Sequence, residues 1–224
     1  MSRRGTRAVV AAEAPDYVVE SAATLKASVE LSLAELDRSS ILVTSAMSGE
    51  GRTTVAADLA RLLALSGHRV VLVDFDLRRP GVHERASLPK GPGVVDVLLG
   101  RHPADACLRF VALESGQNGA SRGLYVLAAG ELEGEPSQLL GGKRTRALLR
   151  ALESQASVVL VDGPSVLGHP DAVLVGRLVG GALMVVESGG TPTTRVEQAK
   201  AELMAHQVRI LGVVLNKTRP SQRD

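Results

Sequence analysis

The sequence predicts an α/β fold: a mostly parallel sheet with helices on both faces. Three observations predict it. Short apolar runs recur at 41–44, 70–73, 124–127, 158–161, 182–186 and 210–215. Segments with apolar residues at helical spacing lie between most of them. The runs lack polar alternation, and strands without a polar face are those covered on both sides by crossover helices.

The elements follow in order. Val18, Ala22, Leu25, Val29, Leu33 and Leu36 come in steps of three and four, the stripe of one helix face, which Ser39 and Ser40 end. Residues 53–66 repeat that period with Val55, Leu59, Leu62, Leu63 and Leu65, and Gly67 stands where a C-terminal cap belongs. Further helices are predicted at 94–99, 143–152, 171–178 and 194–206. Residues 1–16 have no period and read as a disordered leader. Residues 17–218 read as a single domain and 219–224 as a polar tail. The stretch 113–123, rich in Gly, Ser and Asn, reads as a flexible surface loop.

Composition narrows the function. The chain has 224 residues, 45% of them hydrophobic and 22% charged, enough to bury the core of one domain. Aromatics make up only 2%, so Val, Leu and Ala build the core and no base-stacking platform is available. A net charge of +2 gives no basic footprint for nucleic acid. One cysteine, Cys107, excludes an internal disulfide and a thiolate metal cluster. His68, His83, His102, His169 and His206 lack metal-ligand spacing. No apolar run reaches the ~18 residues of a membrane span. The basic N-terminus has no apolar segment after it, so no secretory signal is read there. A cytoplasmic protein is expected.

The first strand runs into Ser45-Ala-Met-Ser-Gly49-Glu50-Gly51-Arg52-Thr53-Thr54, and a helix follows. Strand, glycine-containing turn and helix N-terminus are the parts of a phosphate-binding loop. Glycines let backbone N–H groups curl around phosphate oxygens, and the helix terminus adds partial positive charge. Ser48, Gly49, Glu50, Gly51, Arg52, Thr53 and Thr54 are the candidate nucleotide-binding residues, with the Thr53 hydroxyl placed for Mg²⁺. Two positions depart from the strict motif: Ala46 replaces the first glycine, and Arg52 stands where a lysine belongs. A planar guanidinium fork fits a loop shaped for a point charge poorly. The expectation is that Arg52 limits phosphoryl chemistry more than binding, and that Arg52→Lys raises turnover.

Two strands end in acids. The second runs into Asp74-Phe-Asp76-Leu-Arg-Arg-Pro80 and the fourth into Asp162-Gly-Pro164. The C-terminal edge of a parallel sheet is where ligands bind. Buried strands rarely end in bare carboxylates unless a cation or hydrogen bonds compensate. Asp162 is the candidate Mg²⁺ acid. Asp74 is a second metal acid or orients the nucleophile, and Asp76 joins them as a catalytic candidate. Asn216 ends the last strand and has the donor and acceptor that suit an adenine edge.

These segments together resemble the bacterial tyrosine kinases of capsule and exopolysaccharide assembly. Ser48-Gly-Glu-Gly-Arg-Thr-Thr54 is similar to that family's phosphate loop, and Val71-Leu-Val-Asp-Phe-Asp-Leu-Arg-Arg-Pro80 to its second acidic motif. Gly93–Gly100, Pro136–Leu140 and Val158–Pro164 resemble further family segments, so the likeness covers roughly residues 18–217. The resemblance implies kinship with septum-site and plasmid-partition ATPases, ATP or ADP with Mg²⁺ as cofactors, and a homo-oligomer. It also implies a membrane adaptor that controls polysaccharide chain length and holds this domain at the inner face of the membrane.

The departures from that pattern are specific. Arg52 replaces the lysine, and the C-terminal tail lacks the family's tyrosine cluster, leaving Tyr17 and Tyr125 as the only tyrosines. The assembly motif Glu-x-x-Arg-x-x-Arg survives at Glu20 only, with Ala23 and Lys26 in the arginine positions. An active kinase or ATPase and a catalytically weakened, nucleotide-gated partner are therefore both open. A partition-type ATPase is the third reading, which the Asp76–Pro80 run argues against. The 18–36 helix is expected to serve as a docking surface.

Overall fold

A computed structural model of the chain describes residues 16–115 and 121–218. The leader (1–15), the tail (219–224) and part of the expected loop (116–120) lie outside the described residues. The elements run α1 (Asp16–Ala34), β1 (Ser40–Ser45), α2 (Arg52–Leu65), β2 (Val70–Asp74), α3 (Val82–Arg85), α4 (Val94–Leu99), α5 (Ala104–Cys107), β3 (Arg109–Ser115), β4 (Ser121–Leu127), α6 (Pro136–Leu140), α7 (Lys143–Gln155), β5 (Val158–Asp162), α8 (Asp171–Gly176), β6 (Gly181–Glu187), α9 (Thr193–Ala205) and β7 (Ile210–Asn216).

The seven strands form one sheet in the order β3-β4-β2-β5-β1-β6-β7. Every neighbouring pair is parallel except β3 with β4. The four central strands β2, β5, β1 and β6 are almost wholly buried, which is why they read as unbroken apolar runs. One face packs Phe75, Leu127, Leu149, Leu152 and Met184, and the other packs Ile41, Leu59, Leu63 and Leu160. A fully buried side chain of this size contributes about 1.5–3 kcal/mol. The two layers therefore fix the sheet firmly enough to carry charge at its edge.

The register matters for function. Asp74 pairs with Asp162, Ser45 with Val185, and Glu187 with Asn216. The C-terminal ends of these strands are thus level, so residues far apart in sequence share one sheet edge.

Two expectations need correction. Residues 113–123 are not one loop: β3 occupies 109–115 and pairs antiparallel with β4 from Ser121. An edge strand has one neighbour, so it carries Arg109 and Glu114 without penalty on either side of a four-residue apolar run, 110–113. The ladder is also irregular between Ala112 and Glu114, which blurs any alternation. The stripe of α1, second, is partly spent on its own domain. Val29 is buried, and Leu25 and Leu33 pack against the core beneath α2. What α1 turns outward is Val18, Val19 and Leu31. Among the described residues no helix is long and apolar enough to cross a membrane.

Candidate nucleotide site

The loop between β1 and α2 carries Gly49 at φ 91° and Gly51 at φ 92°, the left-handed region that glycine enters freely. Gly51 is the N-cap of α2, and Arg52, Thr53 and Thr54 form its first turn. The free amides of that turn therefore face the loop. Gly51 has a second reason to lack a side chain: a Cβ there would collide with the Asn216 amide. Asn216 uses its amide nitrogen to donate to Glu50 O at 2.9 Å, so in this structure it buttresses the loop.

Arg52 does not extend freely into solvent. Its Nη2 donates to Asp76 Oδ2 at 2.8 Å, and its Nη1 donates to Ser45 Oγ at 2.8 Å and Met47 O at 3.2 Å. The side chain is only 8% exposed, and its Nε is buried with no partner. A guanidinium held inside the loop with one donor unsatisfied fits a site that receives an anion.

The three acids differ in what occupies their oxygens. Asp74 accepts from the amides of Gly81 at 3.0 Å, Val82 at 3.1 Å and Asp76 at 3.1 Å, which folds the following turn onto the strand end. Asp76 accepts from Arg52 and from the Arg79 amide at 3.0 Å. Asp162 is fully buried, and neither carboxylate oxygen has a hydrogen-bond partner of proper geometry. Burial pushes its pKa up to about 7, while the nearby Thr53 hydroxyl and Arg52 pull the other way. Burial, and then the charge of Asp162, holds Asp74 well above the usual carboxylate range.

An open buried carboxylate beside a threonine hydroxyl and a phosphate loop suits a divalent cation. No group of three or more His, Cys, Asp or Glu side chains that could hold a metal exists among the described residues. An ion like Mg²⁺ suits such a site, since it takes one or two protein oxygens and completes its shell with phosphates and water.

Several residues around the loop were not legible as site residues. Arg79 Nη1 donates to Ser48 Oγ at 2.8 Å. Arg78 pairs with buried Asp171 at 2.6 Å and with Glu135 at 2.9 Å, fixing the 76–80 turn against the starts of α8 and α6. Lys217, at φ 56°, donates to Gly49 O at 2.9 Å and Glu187 Oε2 at 2.8 Å. Glu50, expected among the binding residues, points its carboxylate back to the Met47 amide, the Glu187 amide and the Thr191 hydroxyl. The mouth in front of the loop is a cleft of about 400 Å³, whose walls include Ser48, Arg52, Asp76, Arg79, His169 and Arg195.

A glycine loop at a helix start, with acids at level strand ends, defines a P-loop nucleotide-binding protein. The profile of the CobQ/CobB/MinD/ParA nucleotide-binding domain matches residues 41–224, and the chain belongs to that family. It is 29% identical over 215 residues to the tyrosine-protein kinase YwqD of Bacillus subtilis, covering 96% of this chain and 87% of that one. It is also 29% identical to the tyrosine-protein kinase Etk of Escherichia coli K12, covering 90% of this chain but only 27% of Etk. The solved kinase domain of Escherichia coli Etk superposes with a TM-score of 0.80 at 27% identity, covering 92% of this chain and 79% of that one. The Mg-ADP complex of the septum site-determining protein MinD from Pyrococcus horikoshii has a TM-score of 0.67 at 22% identity, covering 83% of this chain and 72% of that one, and shares the fold.

Proposed function

We propose that this chain binds ATP or ADP with Mg²⁺ and works as the nucleotide-hydrolysing, tyrosine-kinase-type component of an exopolysaccharide assembly system. One observation carries the reading: the open carboxylate of Asp162 beside Thr53 and the glycine loop, in a chain similar to proteins named tyrosine kinases. The amides of Gly49 to Thr54 hold the phosphates, and Asn216, which buttresses that loop, is the candidate for the base edge. Thr53 and Asp162 hold the Mg²⁺, which, when bound, neutralises charge on the phosphates. Asp74, which pairs with Asp162 across the two strand ends, is the second acid. Arg52 supplies positive charge from within the loop, with Asp76 orienting it.

A second reading draws on the Arg52–Asp76 ion pair itself. If that pair persists with nucleotide bound, the guanidinium cannot follow charge onto the transferred phosphoryl group, and the chain acts as a nucleotide-gated partner. Both readings place the chain on the cytoplasmic side, held to the membrane by an adaptor that controls chain length. In both, Val19 and Leu31 on the outer face of α1 are available for assembly with further copies.

The deciding experiment measures ADP release and phosphotyrosine on purified protein, with and without that adaptor. The kinase reading expects both products, increased by the adaptor. Nucleotide binding with neither product selects the gated partner.

A further inference from the structure

We infer that Glu50 is a positioning residue that ties the phosphate loop to the base of α9, so that the turn before α9 sets the affinity of the site. The inference rests on the nucleotide reading above. Glu50 is 2% exposed, yet among the described residues its carboxylate pairs with no cation. It accepts from the Met47 amide at 2.6 Å, from the Thr191 hydroxyl, and more weakly from the Glu187 amide at 3.5 Å. A buried carboxylate satisfied by neutral donors alone is a costly feature. Its geometry shows what it holds. One partner is inside the phosphate loop, and the other two are the last residue of β6 and a residue of the turn that leads to α9.

The same turn is tied to the loop a second time. Lys217 bridges Glu187 Oε2 and Gly49 O, while Asn216 holds Glu50 O. Residues 47, 49 and 50 are thus each fixed by a side chain, and Glu187 and Thr191 stand at the other end of two of those connections. Helix α9 starts two residues after Thr191 and is lightly held, with only Ala199 and Leu203 buried along it. Loop amides must converge closely on phosphate oxygens to bind well. A shift of the α9 base passes through Thr191 and Glu50 into that convergence.

The test uses calorimetric titration of the full chain with Mg-ADP and, separately, with magnesium pyrophosphate. The variants are Glu50→Gln, Thr191→Val, the double variant, and Thr191→Ser as the conservative control. The expected result is that Thr191→Val and Glu50→Gln each weaken both ligands about tenfold, as small misplacements do. The double variant is no weaker than the weaker single one, and Thr191→Ser binds like the unaltered protein. A purely structural Glu50 would lower the unfolding midpoint while leaving the affinity of the folded protein unchanged, and that result overturns the inference. If the unaltered protein binds neither ligand, the nucleotide reading fails first and the inference falls with it.

Discussion

Arg52 and Asp76 form a buried ion pair, Nη2 to Oδ2 at 2.8 Å, with side chains 8% and 6% exposed. The pair links the first residue of α2 to the turn after β2. It also explains how a loop shaped for lysine accommodates arginine: the planar fork spans Asp76 on one side and Ser45 and Met47 on the other. Removing one partner leaves an uncompensated buried charge. Asp76→Ala is expected to destabilise the protein by roughly 3–5 kcal/mol, read by urea unfolding. A loss under about 1 kcal/mol would mean the pair is solvated in solution.

Arg52→Lys separates binding from chemistry. A lysine forfeits the fork, so the nucleotide-free protein should melt earlier. Its compact charge should follow the transferring phosphoryl group better, raising ATP turnover while changing Mg-ADP affinity less. Turnover that stays level or falls would show a loop that has adapted to arginine.

The Asp162 carboxyl gives the site a pH signature. Its folded pKa, near 7, lies above the ordinary value of about 3.9. Between those values the folded state holds a proton that the unfolded chain has released, so stability falls as pH rises through that window. Above about pH 7 both states are ionised and the penalty is complete. Asp162→Asn should therefore raise the nucleotide-free melting temperature at pH 8 and change it little at pH 4. Equal shifts at both pH values would remove titration of Asp162 as the cause.

Gly51 has two constraints, a left-handed φ of 92° and the seat of Asn216. Gly51→Ala should cost about 1–2 kcal/mol from backbone strain. It should also displace Asn216 and abolish detectable Mg-ADP binding. A variant that binds like the unaltered protein would show that the loop reshapes freely.

Much of this site was legible because parallel buried strands end in a plain signal. Asp74 and Asp162 stand out against apolar runs, and the glycines at 49 and 51 announce a left-handed turn before a helix. The edge strand β3 was hidden because its apolar run, Phe110 to Leu113, is only four residues long and runs into a Gly-, Ser- and Asn-rich stretch that reads as loop. The four- and five-residue helices α3, α5 and α6 are too short to show a period. Long-range partners were least legible. Glu50 reads as a loop residue facing a ligand, and nothing local to Thr191, 141 positions away, marks it as the donor to that carboxylate. Likewise, no sequence pattern shows that Val29 of the α1 stripe is covered while Val18 stays exposed.

The most direct test of the central claim is the melting temperature of purified, nucleotide-free protein with Mg-ADP, with ADP plus EDTA, and with neither. At a hundredfold excess over the dissociation constant, ligand stabilises the folded state by about 2.7 kcal/mol. That corresponds to roughly 5–10 °C for a domain of this size. The account predicts such a rise with Mg-ADP and a much smaller one with EDTA, because Asp162 and Thr53 contribute through the metal. No shift at millimolar Mg-ADP, or an equal shift with EDTA present, would contradict it.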